Sequence, residues 1–234
     1  MLHLTFGRRS AVVALALAVV PVHGWGAAPP LILPETQVFP GDDGASATTL
    51  DQPLAELVGA WQKRTGRRSF RKSMVIHKSR RRLDVFADGV VLKSYIVELG
   101  SAPRGAKQRQ GDMKTPEGDL FICAKNRTSA FVRYLGIAYP TPAAAHDGVE
   151  AGKVARGVEQ EVISAFRTRR GCPPQQTPLG GLVGILGGGS WEKRADGFLL
   201  TDWTWGCVAV RDADIRELFD GYVELGTPLR IEAD

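Results

Sequence analysis

The chain has 234 residues, 44% of them hydrophobic, with a formal net charge of +5 and three cysteines. That length suffices for one domain with a sizeable core. There is no zinc-ligand spacing, helix-turn-helix signal or aromatic-basic alternation, so nucleic acid is not an expected partner.

Arg8 and Arg9 precede a mostly apolar run from Ala11 to Val22, and Gly24 to Ala28 supplies small residues. This is the layout of a secretory signal peptide, so residues 1–28 are expected to be removed. The apolar run is shorter than the ~20 residues needed to cross a bilayer, which argues against an uncleaved anchor. No later stretch is long and apolar enough to span a membrane, so an exported protein of the periplasm or cell envelope, with no stable membrane span, is expected. Removal of Arg8 and Arg9 leaves a mildly basic chain. Its basic residues cluster at Lys63-Arg64, Arg67-Arg68, Arg71-Lys72 and Lys78 to Arg82. Such a cluster reads as a solvated edge, or as a patch facing an anionic polymer.

Residues 29–72 read as a flexible leader carrying one short helix. From Pro29 to Leu50 the composition is rich in Pro, Gly, Ala and Thr without an apolar period. Leu54, Leu57, Val58 and Trp61 recur at helical spacing, predicting a helix over Asp51 to Lys63 with Asp51 as its N-cap. Strands are then predicted at Met74 to Ile76, Leu83 to Phe86 and Val90 to Leu99, the last two joined by a hairpin at Asp88-Gly89. Further strands are expected at Leu120 to Ala124 and Phe131 to Ala138. Tyr139-Pro140-Thr141-Pro142 breaks the pattern and opens an excursion. Val158, Val162 and Phe166 mark a helix over Val158 to Thr168, after which Pro173-Pro174 ends the excursion. The C-terminal part offers strands at Leu182 to Leu186, after Gly206, and at Pro228 to Ile231. A helix from Asp214 to Phe219 carries a capping-box variant of Asp214 and Glu217. Without βαβ repetition or a dinucleotide loop, the expected fold is mainly β: a mixed or antiparallel, sandwich-like domain with a few surface helices.

Cys207 carries the chemistry. It follows Trp205-Gly206 and leads into a short apolar strand, downstream of a glycine-rich stretch from Gly180 to Gly189. A thiol is a strong nucleophile once it is a thiolate. The bland alternative is a buried structural cysteine. If Cys207 is the nucleophile, Cys123 and Cys172 remain as a candidate disulfide pair in an oxidising compartment. Gly187, Gly188 and Gly189 read either as a turn or, with Thr204 and Trp205, as the lining of a substrate cleft. Trp203 and Trp205 would line that cleft or fill the core.

Taken in order, several blocks resemble the catalytic domain of the YkuD-type L,D-transpeptidases. They are Gly100 to Lys107, Gly111-Asp112, Thr115-Pro116-Glu117-Gly118, Tyr139-Pro140, Pro173-Pro174-Gln175, Thr177 to Gly181, Ile185 to Ser190, and Asp202 to Val210. The resemblance covers residues 73–231. It implies an enzyme that cuts and rejoins peptidoglycan stem peptides through a Cys207 thioester, with backbone donors around Gly206 holding the oxyanion and no metal or organic cofactor. In the family an imidazole precedes the glycine run; here that slot is Leu186. Trp205 and Ala209 occupy two further positions where the family often has His and Arg. Of the four histidines, His3 and His23 lie in or beside the signal peptide, and His77 closes a strand. By elimination His146 is the substitute base. Two further classes stay open: a catalytically silent peptidoglycan-binding relative, favoured by Leu186, and an exported thiol redox protein, disfavoured by the lack of a C-x-x-C pair.

Overall fold

The strands form where apolar residues alternate. In the computed structural model, which describes residues 51–233 in full and Thr36–Phe39 as backbone, β2 (Lys72–His77) buries Met74 and Ile76, and β3 (Arg82–Ala87) buries Leu83, Val85 and Ala87. The signal-peptide assignment and residues 29–35 and 40–50 of the leader fall outside the described residues. The expected hairpin joins β3 to β4 (Val90–Ile96), with Asp88 at φ 49° and Gly89 at φ 84°. Both residues tolerate positive φ, which suits the twist of the flanking strands. The remaining strands of the large sheet are β5 (Gly118–Asn126), β6 (Tyr134–Ile137), β7 (Gly184–Leu186), β10 (Val208–Ala209) and β11 (Pro228–Glu232).

Eight strands run in the order β10-β7-β6-β5-β11-β2-β3-β4. Most neighbours are antiparallel, but β10 with β7 and β11 with β2 are parallel, so the sheet is mixed. Beyond β4 the chain continues through Glu98 and Gly100, which bridge Ala209 and Thr204. The two ends of the strand order therefore meet, and the sheet curls around a core that includes Val97, Leu99, Leu135, Ile185, Val208 and Ile231. A second sheet of three strands, β1 (Thr36–Phe39), β9 (Gly197–Thr201) and β8 (Glu192–Arg194), was not expected from the sequence. Strand β1 lies inside the stretch read as leader and pairs antiparallel with β9.

Four helices accompany the sheets among the described residues: α1 (Leu54–Thr65), α2 (Pro142–Glu150), α3 (Arg156–Thr168) and α4 (Asp212–Glu217), the last continued by a π-turn at Leu218–Tyr222. Helix α1 buries Leu54 and Trp61, and Trp61 packs against Phe70 with ring centroids 5.0 Å apart. Its N-terminus corrects the expected Asp51 cap. Pro53 stands at the cap position, and the Leu54 N–H donates instead to Glu217. Proline has no side-chain acceptor, so a carboxylate distant in sequence satisfies this orphan donor. Glu217 also accepts from Lys93 Nζ at 2.7 Å and Tyr95 Oη at 2.8 Å. The capping box of Asp214 and Glu217 is corrected by the same contacts. Helix α4 starts at Asp212, Asp214 pairs with Arg211 at 3.0 Å, and Glu217 is committed to α1. Helix α3 covers its expected span, with Val162 buried and Phe166 edge-on to Phe121. Helix α2 occupies the excursion read as irregular. Thr141 caps it, accepting from the Ala144 N–H at 3.1 Å, and Pro142 opens its first turn.

The candidate disulfide is present. Cys123 on β5 is bonded to Cys172, with Cα atoms 4.8 Å apart, and Cys207 is left as the free thiol. This suits an oxidising compartment. No helix among the described residues is long and apolar enough to cross a membrane.

Candidate active site

Cys207 lies on a turn that is held both by the surrounding structure and by its own residues. Asp202 is clamped by Arg81, whose Nε lies 3.1 Å from both carboxylate oxygens and whose second guanidinium nitrogen lies 2.6 Å from Oδ2; both side chains are buried. The same carboxylate accepts from the Leu99 N–H at 2.7 Å. Thr204 holds the turn from within. Its hydroxyl donates to the Cys207 carbonyl at 2.6 Å and accepts from the Gly206 N–H at 3.1 Å. Its backbone bonds Leu99 and Ser101. Gly206 sits at φ 117°, and a Cβ there would stand 2.5 Å from the Lys114 carbonyl oxygen. Both the positive φ and the close backbone approach require glycine. The sequence thus presents Cys207 on a rigid turn, and the thiol is only partly buried.

Its surroundings are apolar and backbone polar groups. Sγ lies 3.8 Å from the carbonyl oxygen of Leu182. Leu182 adopts φ 54°, unusual for a branched residue, and its N–H is held by Gln175 Oε1 at 2.8 Å. Gln175 in turn donates to the carbonyls of Tyr139 and Pro173. Leu182 and Trp205 are 66% and 74% exposed, so two large apolar side chains stand open to solvent in the segments that meet at the thiol. Burial pushes the Cys207 thiol up from its ordinary pKa; a hydrogen bond from the Gly184 backbone and the charge of Lys107 oppose this without overcoming it. Burial also raises the Tyr134 phenol, with the Cys207 charge adding to it, which places this ring near the thiol.

The structure distributes the other expected residues differently. Leu186 is buried on β7, in register with Ala209 of β10. Gly187 is buried against the Phe131 carbonyl and Asp212, Gly189 bonds Val210, and Gly188 is exposed with its N–H on Asp212 Oδ1 at 2.9 Å. Trp203 is partly buried and donates to Glu98 Oε2 at 2.7 Å, whereas Trp205 projects outward. His146 lies on α2, 60% exposed, with Nδ1 3.0 Å from Glu159 Oε1 on α3. Gly148 of the same helix packs on Leu179, in the loop that leads to Leu182. His77 is held between Glu232 at 2.6 Å and Asp84 at 3.1 Å. A cavity of about 630 Å³ between α1 and the π-turn, lined by Val58, Phe70, Lys72 and Leu225 among others, shares no residue with the Cys207 turn.

Three residues near the thiol escaped the sequence reading in their roles: Tyr134, Leu182 and Lys107. Lys107 stood at the end of a quoted block, but nothing local in sequence ties it to a cysteine 100 positions on. It is 5% exposed, and its Nζ lies 2.8 Å from Asp112 Oδ1. Burial pushes the Asp112 carboxyl up, but Lys107 and the N–H groups of Gln108, Arg109 and Lys114 outweigh it and hold it below its ordinary value.

The fold is similar to solved L,D-transpeptidase structures. The Xylanimonas cellulosilytica L,D-transpeptidase is 17% identical, with 88% of this chain and 100% of that chain covered and a TM-score of 0.38. Bd1075 of Bdellovibrio bacteriovorus is 21% identical, with 70% and 48% covered and a TM-score of 0.42. The helical cell shape determining protein Pgp2 of Campylobacter jejuni is 16% identical, with 76% and 55% covered and a TM-score of 0.43. The match thus spans about half the length of the last two. No curated protein matches the sequence. Residues 71–231 match the family model YkuD, the L,D-transpeptidase catalytic domain, and include every residue of the Cys207 turn. This chain belongs to the YkuD L,D-transpeptidase catalytic-domain family.

Proposed function

We propose that this protein is an acyltransferase of the cell envelope that acts on peptidoglycan stem peptides through Cys207. The observation that carries this is the placement of the free thiol. It lies partly open on a turn fixed by Arg81, Asp202 and Thr204, within the segment matched by the family. The Cys207 thiolate attacks the carbonyl carbon following a diamino-acid centre. A C–S bond forms, the C–N bond breaks, and the leaving amine takes a proton; an acceptor amine or water then releases the acyl group. This step calls for no metal or organic cofactor. The residue range 73–231 serves as the catalytic domain, and residues 1–28 as the export signal.

An oxyanion role for Gly206 requires its N–H to be shared with Thr204 Oγ1, which it meets in this conformation. His146 is the base assigned by elimination. Its exposed imidazole pairs with Glu159 in this conformation and would have to leave that partner to act on the thiol. Gly187, Gly188 and Gly189 shape the site from behind, by close backbone packing, and Thr204 and Trp205 border it.

Intact mass measured after incubation with a carbapenem or a stem tetrapeptide tests the proposal. A covalent adduct on the wild-type chain, absent from Cys207→Ala, is expected. A folded chain that binds peptidoglycan yet never forms an adduct supports the second reading, a catalytically silent relative. Two points favour that reading: Leu186, which the resemblance sets in the family's imidazole slot and which is buried, and the burial that pushes the thiol up. His146→Ala should slow adduct formation if His146 is the base. An unchanged rate and pH profile would remove it from the mechanism.

A further inference from the structure

The Lys107–Asp112 pair is a buried pair of charges beside the Cys207 turn that the proposed mechanism does not use. Its two members are 3% and 6% exposed at their side chains. A buried ion pair is weak evidence of a stabilising role, since desolvation can cancel its Coulomb gain. Its position is more informative. The Lys107 side chain runs beneath the site between two glycines. A Cβ on Gly180 would stand 2.7 Å from Lys107 Cε, and a Cβ on Gly206 would stand 3.8 Å from Nζ. A side chain at position 180 would crowd the lysine, and one at position 206 would stand in ordinary contact with its ammonium. The backbone of Lys107 is held as well, because Tyr139 Oη donates to its carbonyl oxygen at 3.0 Å. Asp112 is tied to its own loop by three N–H groups, so it receives the ammonium from the side of residues 108–114. The positive end of the pair therefore abuts Gly206, the residue immediately before the nucleophile.

We propose that the Lys107 ammonium is the positioning cation of this site, stabilising the negative charge of the Cys207 thiolate from beneath Gly206. The inference rests on Cys207 being the nucleophile and deepens that reading. A cation close to a thiol favours its ionised form. In a low-dielectric setting this interaction is screened far less than at a surface. Among charged groups, Lys107 is the one that draws the Cys207 thiol downward against burial. Lys107 neither attacks nor takes the proton, which passes to a base or to solvent. It changes how much thiolate exists at a given pH.

The test reads ionisation of the thiol rather than turnover, so it stands whether or not peptidoglycan is the substrate. Neutral iodoacetamide alkylates Cys207 as thiolate: the C–S bond forms and iodide leaves. With Cys123 and Cys172 paired, Cys207 is the free thiol, and one mass increment reports its rate across pH. Lys107→Met alone leaves Asp112 buried and unpaired, which endangers folding. The double variant Lys107→Met/Asp112→Asn removes both charges. It should shift the alkylation profile to higher pH by about one unit and slow the reaction at neutral pH roughly three- to tenfold, since the more basic thiolate is also the better nucleophile. Asp112→Asn alone leaves the ammonium without its counter-charge and should shift the profile the opposite way. Lys107→Arg should keep the profile closer to wild type than the double variant does. Opposite shifts in the two charge-altering variants establish the inference. Profiles that overlay wild type in either folded variant overturn it. Loss of carbapenem or stem-peptide acylation with intact alkylation shifts overturns the acyltransferase reading and leaves Lys107 in place.

Discussion

At the scale of single residues, the site is decided by what stands against one sulfur. Cys207 meets a carbonyl, a backbone N–H and the charge of the Lys107 ammonium, and burial is the largest influence on its thiol. Its alkylation rate should accordingly keep rising with pH beyond the ordinary thiol value of ~8.5. A plateau reached below that value would show a stronger activator than any described here. Leu186→His would place an imidazole on β7, where the family resemblance sets one. General acid–base catalysis is typically worth ~10²–10⁴-fold, so acylation by a carbapenem should accelerate on that scale. A folded variant with an unchanged rate would mean that position 186 does not face the thiol. Cys207 was readable in the sequence because its neighbours formed an ordered series of blocks. Lys107 and Leu182 were not, because their approach depends on two glycine-lined loops closing on each other in space.

At the scale of elements, legibility followed periodicity. The β3–β4 hairpin was readable because Asp88 and Gly89 both accept positive φ between apolar runs. Helix α2 was missed because Ala145 and Gly148 are its buried residues, and such small side chains leave no apolar stripe. The β8 strand was missed because Glu192, Lys193 and Arg194 are all exposed. The cap of α1 was missed because its acceptor, Glu217, lies 163 residues away. One buried ion pair anchors the start of the turn that carries the thiol. Arg81→Met would leave Asp202 buried without its cation, which should cost roughly 3–5 kcal/mol in urea unfolding. Arg81→Met/Asp202→Asn should recover much of that loss. A single variant as stable as wild type would show that Asp202 finds compensation elsewhere.

At the scale of the whole molecule, the Cys123–Cys172 disulfide ties β5 to the segment that leads through Gln175 to Leu182. It spans 49 residues of sequence and encloses α2 and α3. In the chain-entropy picture a closed loop of that size contributes roughly 4 kcal/mol. Reduction, or Cys123→Ala/Cys172→Ala, should lower the unfolding free energy on that order, measured by denaturant titration with and without dithiothreitol. A loss under about 1 kcal/mol would mean that the reduced, unfolded chain is already constrained. The bridges from Glu98 to Ala209 and from Gly100 to Thr204 have a different consequence. They link the chain just beyond β4 to Ala209 of β10 and to Thr204 of the thiol's turn, so the two ends of the strand order are fastened to each other. The ring is fastened there by single-residue bridges, while ladders of several residues hold β2, β3 and β4 together. The clasp of the ring is made of isolated bridges rather than a long ladder, and the nucleophile is set between them.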